Sequence, residues 1–368
     1  MQFGGSMKVI VYAICKNEEK FAARWVESMK EADEIYVLDT GSRDNTVKYL
    51  TELGVKVKQE EIIPWRFDNA RNKSLEMVPD DADICVCTDL DEVFHPGWRG
   101  ALEKAWVPGT QQARYRYTWN FNSDGSEGYV FWIEKIHARH GFVWKHPVHE
   151  VITYTGEGSP SAVYAPGVQL DHHADQGKSR GQYLPLLEQS VAEEPEDDRN
   201  VHYLGREYMY KGRWQDCIDT LRYHLTLKTA TWADERCASM RYIAESYKNL
   251  GDGILAESWF LRACGEAGYL REPWIDYAKF LYERGDWHGL IFACDRALGI
   301  KDRPKTYISE AESWGSLPYD LISLGYYFTG DLKRALYFCG EALKISPDDG
   351  RIAKNYSIFK TELSEKVK

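Results

Sequence analysis

Short apolar runs alternate with amphipathic segments from Lys8 to about Asp91, and this alternation constrains the fold more than any other feature. The apolar runs are Val9–Cys15, Ile35–Leu38, Val55–Val57 and Ile84–Thr88, and the helical segments between them are 19–30, 46–53 and 68–77. Strands that alternate with helices form parallel sheets with helices on both faces. The order therefore predicts an α/β domain with a doubly wound, mostly parallel sheet.

Two carboxylates, Asp89 and Asp91, follow the last of these apolar runs. The run alternates little between polar and apolar residues, as expected for a strand covered on both faces. Ligands of open α/β sheets bind beyond the carboxyl ends of the strands, and Mg²⁺ is usually held by one or two carboxylates together with substrate phosphates. The pair indicates a cation and diphosphate site, although an aspartate here could equally cap a helix.

The residues beyond Asp91 are rich in Tyr, Trp and Phe and predict β-structure. Segments 113–122 and 128–140 predict a hairpin around Asn122–Gly125. Strand-like sequence continues to His173, so we expect one α/β domain over residues 7–175. The opening Met1–Ser6 is excluded from this domain.

The sequence from Arg199 onward is repetitive. Similar turns centred on glycine recur about 34 to 45 residues apart, at Gly212, Gly251, Gly285 and Gly330. They predict an all-α tetratricopeptide-like solenoid over 199–368, joined by a linker at 176–198. A plain helical bundle, with glycines that merely end helices, is the alternative, but four similar turns favour repeats.

Charge and cysteine content narrow the classes of partner. The net charge of −11 argues against broad binding to nucleic acid or to an anionic membrane. The eight cysteines lie mostly in apolar segments, which is typical of reduced core thiols in a cytoplasmic protein. The sequence has no apolar stretch of ~18 residues and no signal-peptide pattern, so we expect no membrane span.

Polar motifs also follow the other predicted strands. Lys16–Glu18 follows the first strand, Asp39–Thr46 follows the second, and Arg66–Asn72 opens the helix before the fourth. Together with the motif Asp89-Leu90-Asp91, they resemble glycosyltransferase family 2 with the GT-A fold, in the subgroup with C-terminal tetratricopeptide repeats. That subgroup includes lipopolysaccharide-core glucosyltransferases and bacteriocin peptide S-glycosyltransferases. The resemblance spans about Met7 to Asp349.

The resemblance implies a nucleotide-sugar site. It places Asp91 on the metal and Asp89 on the ribose or a metal-bound water. The other donor-binding residues that it implies are Asn17, Glu18, Asp39 at the base or ribose, and Arg71 at the base or a phosphate. Asp39 could instead cap the turn at Gly41-Ser42, and Arg71 could form a surface ion pair.

A second group of candidates lies later in the domain. Strand alternation puts His172 on one face with Val168 and Leu170, and it is our choice for a further metal ligand. His173 is the reserve, and a structural buried histidine is the alternative. Glu150 is the candidate catalytic base, and His149 could orient it or bind donor phosphate. An ion pair of Glu150 with Lys145 or His146 is the competing interpretation.

The resemblance therefore implies a metal-dependent, inverting hexosyltransferase that uses Mn²⁺ or Mg²⁺ and a nucleoside-diphosphate sugar, with UDP as the expected nucleotide. The acceptor would be a peptide, protein, glycan or other polymer, and a homo-oligomer is compatible with the sequence. The alternative function is a peptide-binding repeat scaffold with a degenerate glycosyltransferase domain. Nucleic acid is the less favoured acceptor because the chain is acidic.

Overall fold

A computed structural model describes residues 7–121, 125–175, 177, 181–304 and 306–366. The chain divides into two compact units, Met1–Ser190 and Val191–Lys368. A helix, Tyr183–Glu193, lies inside the stretch 176–198 that the sequence analysis treats as a linker. Residues Met1–Ser6, which we excluded from the fold, lie outside the described residues.

The first unit begins with the predicted alternation of strands and helices. Its elements are β1 (Val9–Cys15), α1 (Glu19–Met29), β2 (Glu34–Asp39), α2 (Thr46–Glu52), β3 (Lys56–Gln59), α3 (Phe67–Glu76), β4 (Ile84–Thr88), β5 (Glu92–Phe94), α4 (Trp98–Ala105), β6 (Gln112–Thr118), β7 (Val130–Ala138), β8 (Phe142–Lys145), β9 (Val151–Tyr154), β10 (Ala162–His172) and α5 (Tyr183–Glu193).

Eight strands form one mixed sheet in the order β3-β2-β1-β4-β7-β6-β10-β5. The first four predicted strands pair in parallel, β1 with β2 and β4, and β2 with β3, which confirms the doubly wound arrangement. Strand β7 runs antiparallel to β4 and β6, whereas β10 runs parallel to β6. Strands β8 and β9 form a separate antiparallel pair. The sheet order brings the carboxyl ends of β1, β2 and β4 side by side.

Strand β4 is buried on both faces, as its sequence predicts. Ile84 and Val86 belong to one apolar cluster, while Cys85 and Cys87 belong to another on the opposite face of the strand. The residues after β4 are thus held at the end of a rigid central strand.

Strands β6 and β7 form the predicted antiparallel hairpin. Beyond the ends of these strands, the Trp119 amide donates to the Tyr129 carbonyl at 2.8 Å. Phe121 forms an isolated antiparallel β-bridge with Glu127. The predicted turn residues Asn122 to Asp124 lie outside the described residues.

The second unit is helical and begins within the last turn of α5. Its elements are α6 (Asp198–Tyr210), α7 (Trp214–His224), α8 (Ala233–Asn249), α9 (Gly253–Glu266), α10 (Glu272–Arg284), α11 (Trp287–Gly299), a short 3₁₀ helix (Ala311–Trp314), α12 (Leu317–Phe328), α13 (Leu332–Ile345) and α14 (Gly350–Lys366).

The glycine turns between these helices have the geometry that the repeat interpretation requires. Gly212, Gly251, Gly285 and Gly330 all adopt positive φ angles of 70° to 86°, the left-handed conformation typical of a residue that follows a helix. In the last three turns the next helix is capped by the side chain of Asp252, Asp286 or Asp331, which accepts an amide hydrogen from the first turn. The helices therefore form successive pairs, α6 with α7 through α12 with α13, as in tetratricopeptide-like repeats.

All eight cysteines are buried free thiols, in agreement with the prediction of reduced core residues. Among the residues that the structure describes, no helix is both long and apolar enough to cross a membrane.

Candidate functional site

The predicted site residues converge at the carboxyl ends of β1, β2 and β4. Asp39 is the last residue of β2 and lies opposite Cys15, the last residue of β1. Asn17 and Asp89 follow β1 and β4 within two residues of the strand ends. Parallel pairing alone brings these three polar side chains to one edge of the sheet.

Asn17 and Asp39 shape the loops at this edge. Asn17 has a positive φ of 56°, and its side-chain oxygen accepts the Arg43 amide hydrogen at 2.7 Å. Both carboxylate oxygens of the fully buried Asp39 lie 2.9 Å from the Ser42 amide nitrogen. The turn-capping role considered for Asp39 is thus the one seen in these contacts.

Glu18 is buried at the start of α1, where its amide donates to the Thr46 hydroxyl at 2.7 Å. Asp44 accepts the Thr46 amide hydrogen at 3.0 Å. The contact from Glu18 to Thr46 therefore joins the loop after β1 to the beginning of α2.

Arg71 on α3 is the centre of the site, and its side chain is buried rather than on the surface. Its Nε donates to Oε1 of Glu150 at 2.6 Å, and its Nη2 donates to Oδ1 of Asp89 at 2.8 Å. Its Nη1 lies 3.4 Å from the Cys87 sulfur, and the guanidinium stacks over the Trp144 ring at 5.1 Å. Arg71 therefore links the acidic motif after β4 to the candidate base.

Lys135 on β7 is a site residue that the sequence analysis missed. Its ammonium lies 3.0 Å from Oδ2 of Asp89 and 3.1 Å from Oε1 of Glu92. Glu92 is fully buried and also accepts hydrogen bonds from the Tyr117 hydroxyl and the Asp89 amide. The available signal was the charged pair Glu134 and Lys135 within a predicted strand that is otherwise mostly apolar.

The two cations set the charge state of Asp89. Burial raises the pKa of its carboxyl, but the adjacent Arg71 and Lys135 outweigh burial and hold that pKa well below its ordinary value. Each oxygen of Asp89 is bonded to a different cation. Asp89 is therefore ionised and held in place by Arg71 and Lys135. The other aspartate of the motif, Asp91, directs Oδ2 towards His172 instead.

Asp91 and His172 lie together at the end of β10. Oδ2 of Asp91 is 3.6 Å from Nε2 of His172, and Asp91 is only 7% exposed. The His172 Nδ1 donates to the Trp119 carbonyl at 2.9 Å, which leaves Nε2 as the nitrogen that faces Asp91. Metal-bound histidines commonly have their other ring nitrogen fixed by such a carbonyl.

The neighbouring His173 has a different environment. Its ring stacks on Phe121 with 5.3 Å between ring centroids, and its amide donates to the Asp91 carbonyl at 2.8 Å. Burial and the charge of Arg24 lower the pKa of His173. Of the two histidines considered, His172 is the one whose ring nitrogen the structure places beside the Asp91 carboxylate.

Glu150 and His149 follow β8. Within the described part of the chain Glu150 pairs with Arg71, instead of with Lys145 or His146 as in the competing interpretation. His149 has a positive φ of 52°. Its ring packs edge-on against the Tyr183 ring, with 5.8 Å between the ring centroids. Non-glycine residues with positive φ are uncommon and concentrate at functional sites.

Residues 10–154 match the family described as "Glycosyl transferase family 2". The first unit therefore contains a glycosyltransferase domain of family 2. No curated protein sequence matches the chain.

Several solved structures of tetratricopeptide repeat (TPR) proteins are similar to part of the chain. The MamA protein shares 15% identity over 46% of this chain and 83% of its own, with a TM-score of 0.36. A thermophilic TPR protein of Thermus thermophilus shares 17% identity over 48% of this chain and 89% of its own, with a TM-score of 0.36. YrrB, described as a TPR protein with an unusual peptide-binding site, shares 13% identity over 47% and 81%, with a TM-score of 0.35.

Proposed function

We propose that the protein is a metal-dependent, inverting hexosyltransferase that takes its sugar from a nucleoside diphosphate, with UDP as the nucleotide. The observation that carries this proposal is the arrangement around Arg71. Arg71 joins the ionised Asp89 to Glu150. Asp89 lies two positions before Asp91 in the sequence, and the Asp91 carboxylate lies beside the His172 ring. A family 2 glycosyltransferase domain needs a donor site, a cation site and a base, and this edge of the sheet offers residues for all three.

The cation would be held by Asp91 and His172. A carboxylate oxygen and an imidazole nitrogen 3.6 Å apart fit two positions around one divalent ion, and the fixed orientation of His172 fits a ligand role. A mixed nitrogen and oxygen set suits Mn²⁺ better than Mg²⁺, which prefers oxygen. When bound, the ion would act as a Lewis acid for the departing diphosphate.

Donor binding would use the remaining residues at this edge. Asn17, Glu18, Asp39, Arg71, Asp89 and His149 are the candidates, and most of them already hold a loop or another site residue in place. The positive φ angles of Asn17 and His149, which are uncommon for non-glycine residues, favour a preformed pocket.

Glu150 would act as the base. In an inverting transfer the acceptor oxygen or sulfur attacks the anomeric carbon, the bond to the diphosphate breaks, and the acceptor proton passes to a carboxylate. Arg71 holds Oε1 of Glu150, so Oε2 is the oxygen that would take the proton. Arg71 would thus be a positioning residue for the base.

The acceptor would be a peptide, a glycan or another polymer that the repeat unit binds. Stacked helix pairs usually form extended binding surfaces, and the second unit contains four such pairs in its described residues. The repeat unit alone would also suit a scaffold, so donor binding is the property that separates the two functions.

A thermal-shift screen with UDP, GDP and their sugars, with and without Mn²⁺, tests the proposal. Ligand that binds the native state raises its stability. We expect a Mn²⁺-dependent upward shift with UDP and UDP-sugars and little shift with GDP. If none of the nucleotides shifts the melting temperature, the scaffold function with a degenerate glycosyltransferase domain would replace the proposal.

A further inference from the structure

A second set of metal-ligand side chains lies in the repeat unit. Asp198 opens α6, His224 is the last residue of α7, and Glu235 lies in the first turn of α8. One carboxylate oxygen from each acid and one ring nitrogen of His224 all lie within 4.8 Å of one another. Three successive helix ends therefore direct ligand atoms at a common point.

His224 is the most informative member because it is fully buried. Its Nε2 makes no hydrogen bond to any residue that the structure describes. The nearby Oε1 of Glu235 is 3.4 Å away. A buried ring nitrogen without a hydrogen bond is costly, and this one faces carboxylates.

The other side of the His224 ring is fixed. Its Nδ1 lies 3.0 Å from the hydroxyl oxygen of Ser239, which also lies 2.8 Å from Nδ1 of His202. One hydroxyl hydrogen can be donated to only one of the two rings. When Ser239 donates to His202, His224 donates its Nδ1 hydrogen to Ser239, and its Nε2 presents a bare lone pair to the carboxylates.

A neighbouring tyrosine orients the carboxylate of Glu235. The Tyr307 hydroxyl donates to Oε2 of Glu235, which leaves Oε1 directed at His224. Hydrogen bonds of this kind orient metal ligands in proteins.

From this geometry we propose that Asp198, His224 and Glu235 form a structural site for a divalent transition metal, most suitably Zn²⁺. The 3.4 Å between Nε2 and Oε1 equals the edge of a tetrahedron with metal–ligand bonds of about 2.0–2.1 Å. One imidazole with two carboxylates suits Zn²⁺ or Mn²⁺ and disfavours Ca²⁺ and Mg²⁺. The ion would link the start of α6, the end of α7 and the first turn of α8, and so stabilise the first repeats.

Metal content of the full-length protein tests this site. The cation site proposed in the first unit is removed by the double substitution D91A/H172A. The protein is stripped with a chelator, given Zn²⁺ or Mg²⁺, freed of unbound ion and measured by elemental analysis. We expect one Zn²⁺ per chain, no retained Mg²⁺, and loss of the Zn²⁺ when His224→Gln is added. His288→Gln, at an exposed histidine of the same unit, is the matched control and should keep the ion.

X-ray absorption at the zinc edge provides a measurement that does not depend on the folding of the His224→Gln variant. The loaded D91A/H172A protein should show one imidazole nitrogen ligand in an otherwise oxygen shell. A protein that retains no Zn²⁺, or one whose Zn²⁺ survives H224Q, overturns the site.

Discussion

The Nε of Arg71 lies 2.6 Å from Oε1 of Glu150, although the two residues are 79 positions apart in the chain. The contact connects α3, which packs against β1 and β2, to the segment after β8. Because the same guanidinium also holds Asp89, removal of the Arg71 side chain would release both the acidic motif and the candidate base.

Glu150→Gln separates proton transfer from donor binding. The amide keeps its size and can still accept from Arg71, but it cannot take a proton at neutral pH. Transfer should fall by about 10²–10⁴-fold, while donor affinity, measured by titration calorimetry, should be retained. Glu157→Gln, at an exposed glutamate in the same unit, should behave as the unmodified protein.

The opposite result, weaker donor binding with an unchanged rate at saturating donor, would place Glu150 among the binding residues. The rate should also be followed across pH. A thiol acceptor is partly ionised near neutral pH and needs less help from a base. A defect that disappears as the pH rises would therefore identify a thiol acceptor.

Asp91→Ala should abolish Mn²⁺-dependent hydrolysis and transfer of the donor sugar while the protein stays folded. The substitution removes a carboxylate that contacts His172 but leaves the pairing of Asp89 intact. Circular dichroism checks folding, and Asp81→Ala, at an exposed aspartate, is the control. Undiminished turnover in Asp91→Ala would rule out the metal assignment.

The parallel strands and the repeat turns were predictable because each depends on local pattern. Apolar runs such as Ile84–Thr88 are buried in any fold of this class, and Gly251 signals a helix end by itself. The position of Lys135 was not predictable in the same way, because its ion pairs with Asp89 and Glu92 span more than forty residues. Only the pairing of β7 with β4 brings the lysine to the acidic motif.

Lys135→Met should destabilise the first unit by about 3–5 kcal/mol, because it leaves Glu92 as a buried carboxylate without its ion pair. Adding Glu92→Gln removes that charge, so the double variant should recover part of the loss. Urea unfolding of the four proteins forms a double-mutant cycle. Lys145→Met, at an exposed lysine, is the matched control. Additive effects in the cycle would contradict a direct coupling of the two residues.

The stability of the first unit should fall as the pH falls from about 6.5 to about 4. Burial lowers the pKa of His137 from 6.5 to about 4, and its Nε2 accepts a hydrogen bond from the Tyr12 hydroxyl. Between these values the unfolded chain binds a proton that the native state does not, so unfolding becomes easier on acidification. The full effect is about 3 kcal/mol.

Comparison with a histidine variant isolates this contribution. His137→Gln should lower stability at pH 7 and flatten the dependence on pH in this range. His140→Gln, at an exposed histidine three residues away, should retain the slope of the unmodified protein. Unfolding free energies measured in urea from pH 4 to 7.5 make the comparison, and equal slopes for H137Q and the unmodified protein would contradict the buried neutral state.

Replacing either of two glycines of the second unit by alanine should change the unfolding free energy, but in opposite directions. Gly251 follows α8 with a φ of 83°, which an alanine adopts only with strain. Gly265 lies inside α9, and a Cβ there would meet no atom within 4 Å. Gly251→Ala should therefore lower the unfolding free energy by about 1 kcal/mol, whereas Gly265→Ala should raise it by about 0.5–1 kcal/mol. Thermal melts of the two variants check this directly, and a stabilised Gly251→Ala protein would argue against a left-handed residue at the repeat turn.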